Sequence, residues 1–368
     1  MDRIFIYIIV FISSLILSYF LTLLARKLSF KLKILDYPDA ERKIHHQAIP
    51  LLGGWAIYLS FSLLTLLFVI FFPNLILTYN IGLFQIIGII VAGLILMVSG
   101  TFDDKYNLNA GQQLSLIILA CLVIVFSGTG IKFITRPGGG IIDLTGSSIS
   151  FLGQDLYLIG AILTFFWLLI ITNTTKLLDG LDGLASGITG IGMIILFIVS
   201  LFWDAPNSGT SILILMLAGS ILGFLILNFH PAKIFLGNGG STFLGLAIGV
   251  MAIISGAKIA TALLVMGVPL LDMVWVVIQR LRKGESPFKH ADRKHLHFRL
   301  LSLGFSVKKT VLILYLISLF FGVIALFQGT IGKLSTLTVL VLFIIIIFSL
   351  TYYKNEKIKN QSQFNKNN

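Results

Sequence analysis

The sequence predicts an all-α, polytopic integral membrane protein: a bundle of about eleven transmembrane helices. Of its 368 residues, 57% are apolar and only 11% are charged, whereas soluble globular proteins carry about 25% charged residues. Uncharged apolar runs recur along the chain, and crossing a bilayer takes ~20 such residues. These observations exclude the secreted, cytosolic and nucleic-acid-binding classes of protein.

The apolar runs give the spans in order. The first, residues 4–24, is longer than a signal-peptide core and lacks a small-residue cleavage pattern, so we expect it to be retained. Ten more are expected at about 51–72, 84–100, 112–128, 156–172, 187–203, 210–227, 242–256, 259–279, 310–328 and 334–353. Because only a short break separates 242–256 from 259–279, these two could instead form one broken or re-entrant element.

The basic residues are distributed unevenly between the two sets of loops. The loops after odd-numbered spans, together with the C-terminal tail, hold 22 of the 27 Lys and Arg residues. Because positively charged loops stay in the cytoplasm, we expect the N-terminus outside and the C-terminus in the cytoplasm. On the outer side, residues 128–154 are expected to form a small surface hairpin.

No polar stretch between spans is long enough to fold alone, so residues 1–353 are expected to form a single transmembrane domain. The polar, Asn-rich residues 354–368 are expected to be a disordered cytoplasmic tail. The net charge of +12 is explained by topology and by attraction to anionic lipid. No basic soluble module is present, so no nucleic-acid partner is expected.

Nearly all candidate chemistry falls in five polar loops on the predicted cytoplasmic side. They are loop 1 (36–54), loop 2 (100–105), loop 3 (173–183), loop 4 (235–242) and loop 5 (280–309). Loops 1 and 5 combine His with Arg and Lys, which suits a phosphate or nucleotide ligand, although basic residues that only fix orientation are the alternative. The candidates in these two loops are Arg42, Lys43, His45, Arg293, His295 and His297.

Loops 2 and 3 carry acids. Asp103 and Asp104 are adjacent and repel one another unless a cation, a metal or a shared proton is present, so a binding site competes here with a solvated helix cap. Asp179 and Asp182 are three residues apart, a spacing that places both on one helical face. Since a polar row within a nearly continuous apolar stretch is costly, we expect a functional site.

Two further polar features accompany these acids. Loop 3 also holds Asn173 and Lys176, and loop 4 is a glycine-rich segment around Asn238. Glycine-rich backbone at a helix start can present N–H groups to an anion, although a simple tight turn is the alternative. The Lys-Ser/Thr ending of a nucleotide P-loop is missing, so ATP hydrolysis is not supported.

Taken together, and in this order, the loops resemble the polyprenyl-phosphate N-acetylhexosamine-1-phosphate transferases (glycosyltransferase family 4) over about residues 36–305. The resemblance rests on Arg42-Lys43-x-His45 with Pro50 and Gly53-Gly54, on Asp103-Asp104, on Asn173 through Asp179-Gly-Leu-Asp182-Gly, on residues 237–241, and on Ala291-Asp-Arg-Lys-His-Leu-His297. The His-x-His pattern is more similar to the GlcNAc-1-phosphate branch than to the pentapeptide branch, which has three consecutive His.

The resemblance implies transfer of a sugar-1-phosphate from a UDP-N-acetylhexosamine to polyprenyl (undecaprenyl) phosphate, with release of UMP. It implies a single catalytic domain that acts at the cytoplasmic face of the cell membrane and a homodimer. The hexosamine, the polyprenol length and the envelope glycan served (teichoic acid, O-antigen, capsule or another) are left open by the sequence.

The resemblance also implies roles for the polar residues. Asp103 or Asp104 would orient or deprotonate the lipid phosphate and position Mg²⁺, or Mn²⁺ in its place. Asp179 and Asp182 would organise the nucleotide. The substrate-binding set would be Arg42, Lys43, His45, Asn173, Lys176, Arg293, His295 and His297.

Two positions depart from the family's pattern where metal contacts are expected. Lys176 stands where the family usually has a second Asn, and Asn238 where it usually has an Asp. Since an amide oxygen ligates magnesium more weakly than a carboxylate does, we expect an altered metal requirement. The metal would be held by Asp103, Asp104 and Asn238, with Lys176 taking over part of the charge neutralisation.

Three other functions remain open from the sequence. A catalytically inactive family member would keep the motifs without turnover. A carrier or flippase would also use many spans, but carriers place their sites near the bilayer midplane, where only Asp272 is expected. A non-catalytic lipid-binding scaffold would leave the paired acids of loops 2 and 3 unexplained.

Overall fold

A computed structural model describes residues 3–38, 47–78, 81–151, 153–203, 209–256, 258–285 and 295–367. Within these ranges the chain is mostly helical. The helices are α1 (Arg3–Leu32), α2 (Gly53–Phe71), α3 (Pro73–Ile76), α4 (Leu83–Tyr106), α5 (Ala110–Phe126), α6 (Leu158–Leu178), α7 (Leu184–Trp203), α8 (Thr210–Asn228), α9 (Gly237–Ile254), α10 (Ile259–Val265), α11 (Gly267–Arg282), α12 (Leu296–Ser302), α13 (Val307–Leu326) and α14 (Thr330–Asn367).

Nine helices of the described chain are long and apolar enough to cross a membrane: α1, α2, α4, α6, α7, α8, α9, α13 and α14. The predicted span at 112–128 corresponds to α5, which has 17 residues and is thus short for a bilayer crossing. The chain is therefore a multi-pass membrane protein, as the sequence predicts, while the count of eleven spans stays a prediction.

The structure places a break within the ninth span, whereas the sequence predicts one between the eighth and the ninth; the eighth span is the continuous helix α9. Helices α10 and α11 are bent by 75° relative to one another. Pro269 is the third residue of α11 and lacks the amide hydrogen that a continuous helix would bond to the Val265 carbonyl. The ninth predicted span is accordingly a broken or re-entrant element.

Helices α8 and α9 form the centre of the bundle. Of their most apolar stretches, 83% and 94% of residues are buried, against 17% in α1 and 22% in α14. A helix that is apolar on every side is stable only when surrounded by other helices or lipid. The outer helices instead expose large apolar side chains such as Ile4 and Phe20, as lipid-facing surfaces do.

Small residues bring α1 against α8. The Ser18 hydroxyl donates to the Ser220 carbonyl at 2.6 Å, and a Cβ on Gly223 would lie 2.2 Å from the Leu15 carbonyl oxygen. Close backbone approach of this kind is how helices associate in lipid, where no hydrophobic force drives them together.

Three short antiparallel hairpins connect the helices. Strands β1 (Leu35–Asp36) and β2 (Ile49–Pro50) pair before α2, whereas β3 (Phe133–Thr135) pairs with β4 (Ile141–Asp143) and β5 (Ser148–Phe151) with β6 (Gln154–Tyr157) between α5 and α6. The hairpin expected within 128–154 is confirmed, and a second one follows it.

Helix α14 extends beyond its apolar stretch. Its backbone is helical to Asn367, through the residues for which the sequence predicts disorder. Residues 351–367 contain neither Gly nor Pro and hold four Lys, two Gln and one Glu, residue types with good helix propensity. The division of the chain into 1–353 and 354–368 stays a prediction.

Candidate active site

Loops 1 and 4 form one wall of the site through their backbones. The Phe235 amide donates to the Pro50 carbonyl at 2.7 Å, and the Gly53 amide donates to the Phe235 carbonyl at 3.0 Å. A Cβ on Gly54 would lie 2.3 Å from the Gly240 Cα. The paired glycines of loop 1 therefore let α2 approach the start of α9.

Loop 2 meets loop 4 in the same way. A Cβ on Gly100 would lie 2.0 Å from the Gly239 nitrogen, so only glycine allows this crossing of α4 and α9. The contact places Asp104 beside Asn238. Both carboxylate oxygens of Asp104 are 3.2 Å from the Asn238 backbone N–H, and the Asn238 amide Nδ2 donates to Oδ1 at 2.8 Å.

A tight turn between α4 and α5 brings Gln113 to Asp103. Asn107 ends α4 in the left-handed region, with φ 53°, and Asn109 caps α5 by accepting a hydrogen bond from the Gln112 amide at 2.9 Å. Gln113 then lies where its Nε2 donates to Asp103 Oδ1 at 2.8 Å. Burial of Asp103, which is only 5% exposed, is thus matched by hydrogen bonds.

Lys176 joins loop 3 to this pair. Its Nζ donates to Gln113 Oε1 at 2.5 Å and lies 3.9 Å from Asp103 Oδ2. The Asp103 Oδ1 atom also accepts a hydrogen bond from the Leu108 amide at 2.9 Å. Gln113 is therefore the bridge between an acid of loop 2 and the cation of loop 3.

These side chains line a cleft that encloses about 250 Å³ of empty space, including its open mouth. Its polar lining comes from α4, α5, α6 and α9, and apolar side chains complete the wall. The lining residues are Leu96, Ser99, Gly100, Asp103, Leu108, Gln113, Leu116, Ile117, Lys176, Asn238 and Thr242.

Asp179 follows the last residue of α6 and begins the turn of loop 3. Its side chain reaches solvent, but it lies close enough to the other loops to lose part of its hydration. This loss, together with the nearby carboxylates of Asp104 and Asp182, raises the pKa of Asp179 to about 7. A carboxyl group with this pKa can take up or release a proton near neutral pH.

The rest of the loop 3 turn is fixed by the segment after α8. The His230 Nδ1 donates to Asp182 Oδ2 at 2.7 Å, and the Ala232 amide donates to the same oxygen at 3.1 Å. The Tyr315 hydroxyl of α13 donates to the Gly183 carbonyl. Asp182 therefore holds loop 3 in place.

Loop 5 reaches loop 3 through two buried histidines. His295 Nδ1 donates to Asp272 Oδ2 at 2.9 Å, and the Leu296 amide donates to Asp272 Oδ1 at 2.8 Å. The rings of His295 and His297 are stacked, with centroids 5.6 Å apart. A Cβ on Gly180 would lie 2.4 Å from His297 Nε2, so the His297 ring packs directly on the loop 3 turn.

His297 is 2% exposed, and its Nε2 has no hydrogen-bond partner among the residues that the structure describes. Burial lowers the pKa of His297 to about 4, partly offset by Asp272 and reinforced by His295. The ring is therefore neutral at physiological pH, and its contact with loop 3 does not depend on a positive charge.

Among the predicted site residues, Asp103, Lys176 and Asn238 line one cleft. Asp104 is hydrogen-bonded to Asn238, and Asp179 lies near Asp104. Asp182, His295 and His297 form the support of loop 3. Asn173 is half-buried on α6, where its Nδ2 donates to the Leu169 carbonyl at 2.8 Å. Four predicted residues, Arg42, Lys43, His45 and Arg293, lie outside the described residues.

Two residues of this network were not predicted from the sequence. Gln113 lies in an apolar helix, where the only signal is a Gln pair at the start of a run. His230 precedes a proline in the short polar segment between two spans. That position is a sequence signal for a loop histidine, but nothing local to it indicates Asp182 as its partner.

The fold and the site define a class: a multi-pass membrane protein with an acid-lined cleft formed where the ends of several apolar helices meet. The model of the family described as glycosyl transferase family 4 matches residues 86–256. This stretch contains loops 2, 3 and 4, which line the cleft.

Several relatives match over nearly the full chain. The "Probable undecaprenyl-phosphate N-acetylglucosaminyl 1-phosphate transferase" of Bacillus subtilis is 32% identical, over 98% of this chain and 96% of that protein. The "Decaprenyl-phosphate N-acetylglucosaminephosphotransferase" of Mycolicibacterium smegmatis is 32% identical, over 82% and 77%. An Escherichia coli K12 "Undecaprenyl-phosphate alpha-N-acetylglucosaminyl 1-phosphate transferase" is 26% identical, over 89% and 85%. The chain belongs to glycosyl transferase family 4.

The divalent cation that the resemblance implies does not fit the oxygen atoms of this cleft as they are arranged. Mg²⁺ requires near-octahedral oxygen ligands at close range. The Asp104 oxygens instead face N–H groups of Asn238, and Asp103 Oδ1 faces those of Leu108 and Gln113. Within the described ranges, no group of three or more His, Cys, Asp or Glu residues is placed to hold a metal.

Proposed function

We propose that this protein transfers N-acetylglucosamine-1-phosphate from UDP-GlcNAc to a polyprenyl phosphate and releases UMP. The names of the three relatives support the lipid acceptor and the transferred group. The observation that carries the proposal is the meeting of loops 2, 3 and 4 in one polar cleft at the ends of apolar helices. A lipid phosphate anchored in the bilayer and a soluble nucleotide sugar can both reach such a place.

The reaction exchanges one phosphorus–oxygen bond for another. An oxygen of the lipid phosphate attacks the phosphorus that bears the sugar, the bond from that phosphorus to the UMP oxygen breaks, and UMP leaves with the electron pair. Such a displacement depends on alignment of the two phosphates and on stabilisation of negative charge. In this proposal Asp103 and Asp104 orient the acceptor, each fixed by N–H donors.

The nucleotide lies on the side of loops 3 and 5. Asp179 and Asp182 shape the turn that receives it, and Asp179, with its pKa of about 7, holds or releases a proton close to the reacting phosphates. His297 packs against this turn at Gly180, and His295 stacks on His297. The basic residues Arg42, Lys43, His45 and Arg293 and the half-buried Asn173 complete the proposed set that binds phosphate, uridine or sugar.

The proposal includes a cellular location. The distribution of Lys and Arg supports a cytoplasmic active site in the plasma membrane, with the N-terminus outside and the C-terminus inside. A homodimer remains a prediction from the sequence. So does the altered requirement for Mg²⁺ or Mn²⁺, which the N–H groups facing Asp104 do not favour.

Membranes that carry the chain test the activity directly. They are incubated with a panel of UDP-N-acetylhexosamines and undecaprenyl phosphate, and the lipid product is identified by mass while UMP is quantified. We expect one lipid-linked sugar phosphate per UMP. Asp104→Ala should lower turnover by about 100-fold or more, whereas Asp143→Ala, in the exposed β3–β4 hairpin, should leave it unchanged.

Two results would reject the proposal. Uptake of a phosphorylated substrate into vesicles without lipid product would identify a carrier, and binding of UDP-sugar without UMP release would identify an inactive family member. The 75° bend between α10 and α11 is the feature a carrier would use. However, Asp272 beyond this bend pairs with His295 of loop 5, which assigns it to the support of loop 3.

A further inference from the structure

We propose that the Lys176 ammonium is the resident cation of the cleft and that it binds phosphate oxygens in place of a divalent metal ion. The proposal rests on the proposed function in one respect, namely that phosphates are the ligands. It starts from the disagreement described above: the acids of the cleft face N–H donors, and their arrangement does not provide a cage of oxygen ligands.

The geometry leaves the Lys176 ammonium available to a ligand. An ammonium group has three N–H donors, of which one is given to Gln113 Oε1. The 3.9 Å separation from Asp103 Oδ2 is too long for a direct hydrogen bond, so attraction to Asp103 orients the group without occupying it. Because Lys176 lines the cleft, its remaining donors can meet a phosphate oxygen there.

Gln113 is the positioning residue for this cation. Its Nε2 donates to Asp103 Oδ1 at 2.8 Å and to the Leu108 carbonyl at 2.9 Å, which fixes the amide with its oxygen toward Lys176. The cap of α5 at Asn109 holds the helix that carries it. The long Lys176 side chain is thus already ordered before a ligand arrives, which lowers the entropy cost of binding.

Asn238 completes the argument. Its Nδ2 lies 2.8 Å from Asp104 Oδ1, so a carboxylate at this position would lie within hydrogen-bond distance of Asp104 and close to Asp103. Three carboxylates in such proximity require a metal ion or protons. The amide at 238 and the ammonium at 176 therefore act together: one supplies N–H groups to Asp104, and the other supplies positive charge.

The first experiment measures metal binding without reference to turnover. Purified protein in lipid nanodiscs is titrated with Mn²⁺, and bound ion is measured by electron paramagnetic resonance. We expect no stoichiometric Mn²⁺ site in the unmodified protein or in Lys105→Met, an exposed control at the end of α4. The double variant Lys176→Asn with Asn238→Asp should bind one Mn²⁺ per chain. A stoichiometric site in the unmodified protein that is lost in Asp103→Asn would overturn the proposal.

The second experiment measures phosphate binding in the presence of a chelator. Two probes separate the sources of the phosphate: UMP for the nucleotide, and a short-chain polyprenyl phosphate for the lipid. Loss of a charge-assisted hydrogen bond in Lys176→Met should weaken binding of at least one probe by about tenfold or more. Lys176→Arg should retain part of that binding, and Lys105→Met all of it.

Unchanged affinity of Lys176→Met for both probes would overturn the proposal. If Lys176→Met does not fold, as judged by its thermal unfolding midpoint, Lys176→Gln provides the same comparison with a polar side chain. The two proposals can fail separately. Chelator-resistant, Lys176-dependent binding without any lipid product would reject the transferase and support the cation, whereas metal-dependent transfer with full Lys176→Met affinity would do the reverse.

Discussion

Gly100 shows how a single hydrogen in place of a side chain shapes the site. A Cβ at this position would lie 2.0 Å from the Gly239 nitrogen and 2.1 Å from its Cα, and neither backbone atom can move aside alone. We expect Gly100→Ala to separate α4 from α9, to cost about 1–3 kcal/mol of stability and to lower turnover more than tenfold. The thermal unfolding midpoint and the rate of lipid product formation measure the two effects.

The matched control for this change is Gly146→Ala. A Cβ on Gly146 would meet nothing within 4 Å, so both its stability and its rate should equal those of the unmodified protein. Equal effects of the two substitutions would show that the α4–α9 crossing does not set the geometry of Asp104.

His297 gives a pH dependence of stability. Its pKa is lowered to about 4 in the fold, whereas an unfolded His has a pKa of ~6.5. Between these values the unfolded chain binds a proton that the folded protein does not, so His297 reduces stability progressively as pH falls from about 6.5 to 4.

We therefore expect His297→Gln to change this trend. Relative to the unmodified protein, the variant should become more stable as pH falls through that window, with a constant difference above pH ~7. Thermal unfolding in detergent across the pH range measures the difference. A difference that is the same at all pH values would show that His297 does not titrate differently in the fold.

At the scale of single residues, the sequence indicates which side chains belong to the site better than it indicates which side chains they contact. Asp103, Asp104, Asp179 and Asp182 stand out because charged residues are costly next to apolar spans. Gln113 and His230 do not, because their importance comes from partners distant in the chain, Lys176 and Asp182, and no local pattern encodes such contacts.

At the scale of the elements, α11 of the bent pair α10–α11 carries Asp272, whose hydrogen bonds hold the start of α12 in loop 5. Asp272 on α11 accepts hydrogen bonds from His295 and from the Leu296 amide, at 2.9 and 2.8 Å. Because Asp272→Leu removes both acceptors and leaves buried donors unpaired, we expect amide exchange in α12 to rise by about tenfold or more. Hydrogen–deuterium exchange with mass spectrometry measures it.

Asp272→Asn is the informative companion to this change. Its amide oxygen can still accept from Leu296 while its NH₂ meets the other nitrogen tautomer of His295, so exchange in α12 and turnover should lie between those of Asp272→Leu and the unmodified protein. If the Asn variant behaves like the Leu variant, the negative charge of Asp272 matters more than its hydrogen bonds.

Hydropathy predicts the positions of most helices but not how each meets the membrane. Nine of the predicted spans correspond to helices of full length within the described chain. The α5 helix is as short as its apolar run, which begins after the cap at Asn109, whereas the pair α10–α11 is bent close to Pro269, within an apolar run. A hydropathy window averages over such single residues.

At the scale of the whole molecule, the predicted orientation can be tested with single cysteines. The native Cys121 is buried and should give little background labelling. Asp143→Cys lies in the exposed β3–β4 hairpin, and Lys105→Cys lies at the opposite end of the α4–α5 pair. With an impermeant thiol reagent, we expect Asp143→Cys to be labelled in intact cells and Lys105→Cys only after permeabilisation.

Labelling of both positions from outside would place the cleft and the hairpin on one side and reject the orientation. Labelling of Lys105→Cys alone from outside would invert it. Either result leaves the arrangement of the loops around the cleft intact, since that arrangement follows from contacts within the protein.

The sequence suggests that the polar loops converge but does not predict how they contact one another. The sequence predicts a shared site because nearly all polar candidate residues fall in five loops on the predicted cytoplasmic side. In the structure, loops 1 and 2 reach loop 4 through glycines, and loop 5 supports loop 3 through buried histidines. These contacts depend on helix crossings such as that of Gly100 with Gly239, and the sequence pattern does not specify which helices cross.

The near-complete enclosure of α9 has one more consequence. Among the described candidate spans, α9, which carries Asn238, is the most buried, and α1 and α14 are the least. We therefore expect a change in bilayer thickness to act first on α1 and α14, which can respond by tilting. The geometry of the cleft should then depend little on the thickness of the membrane that holds the lipid acceptor.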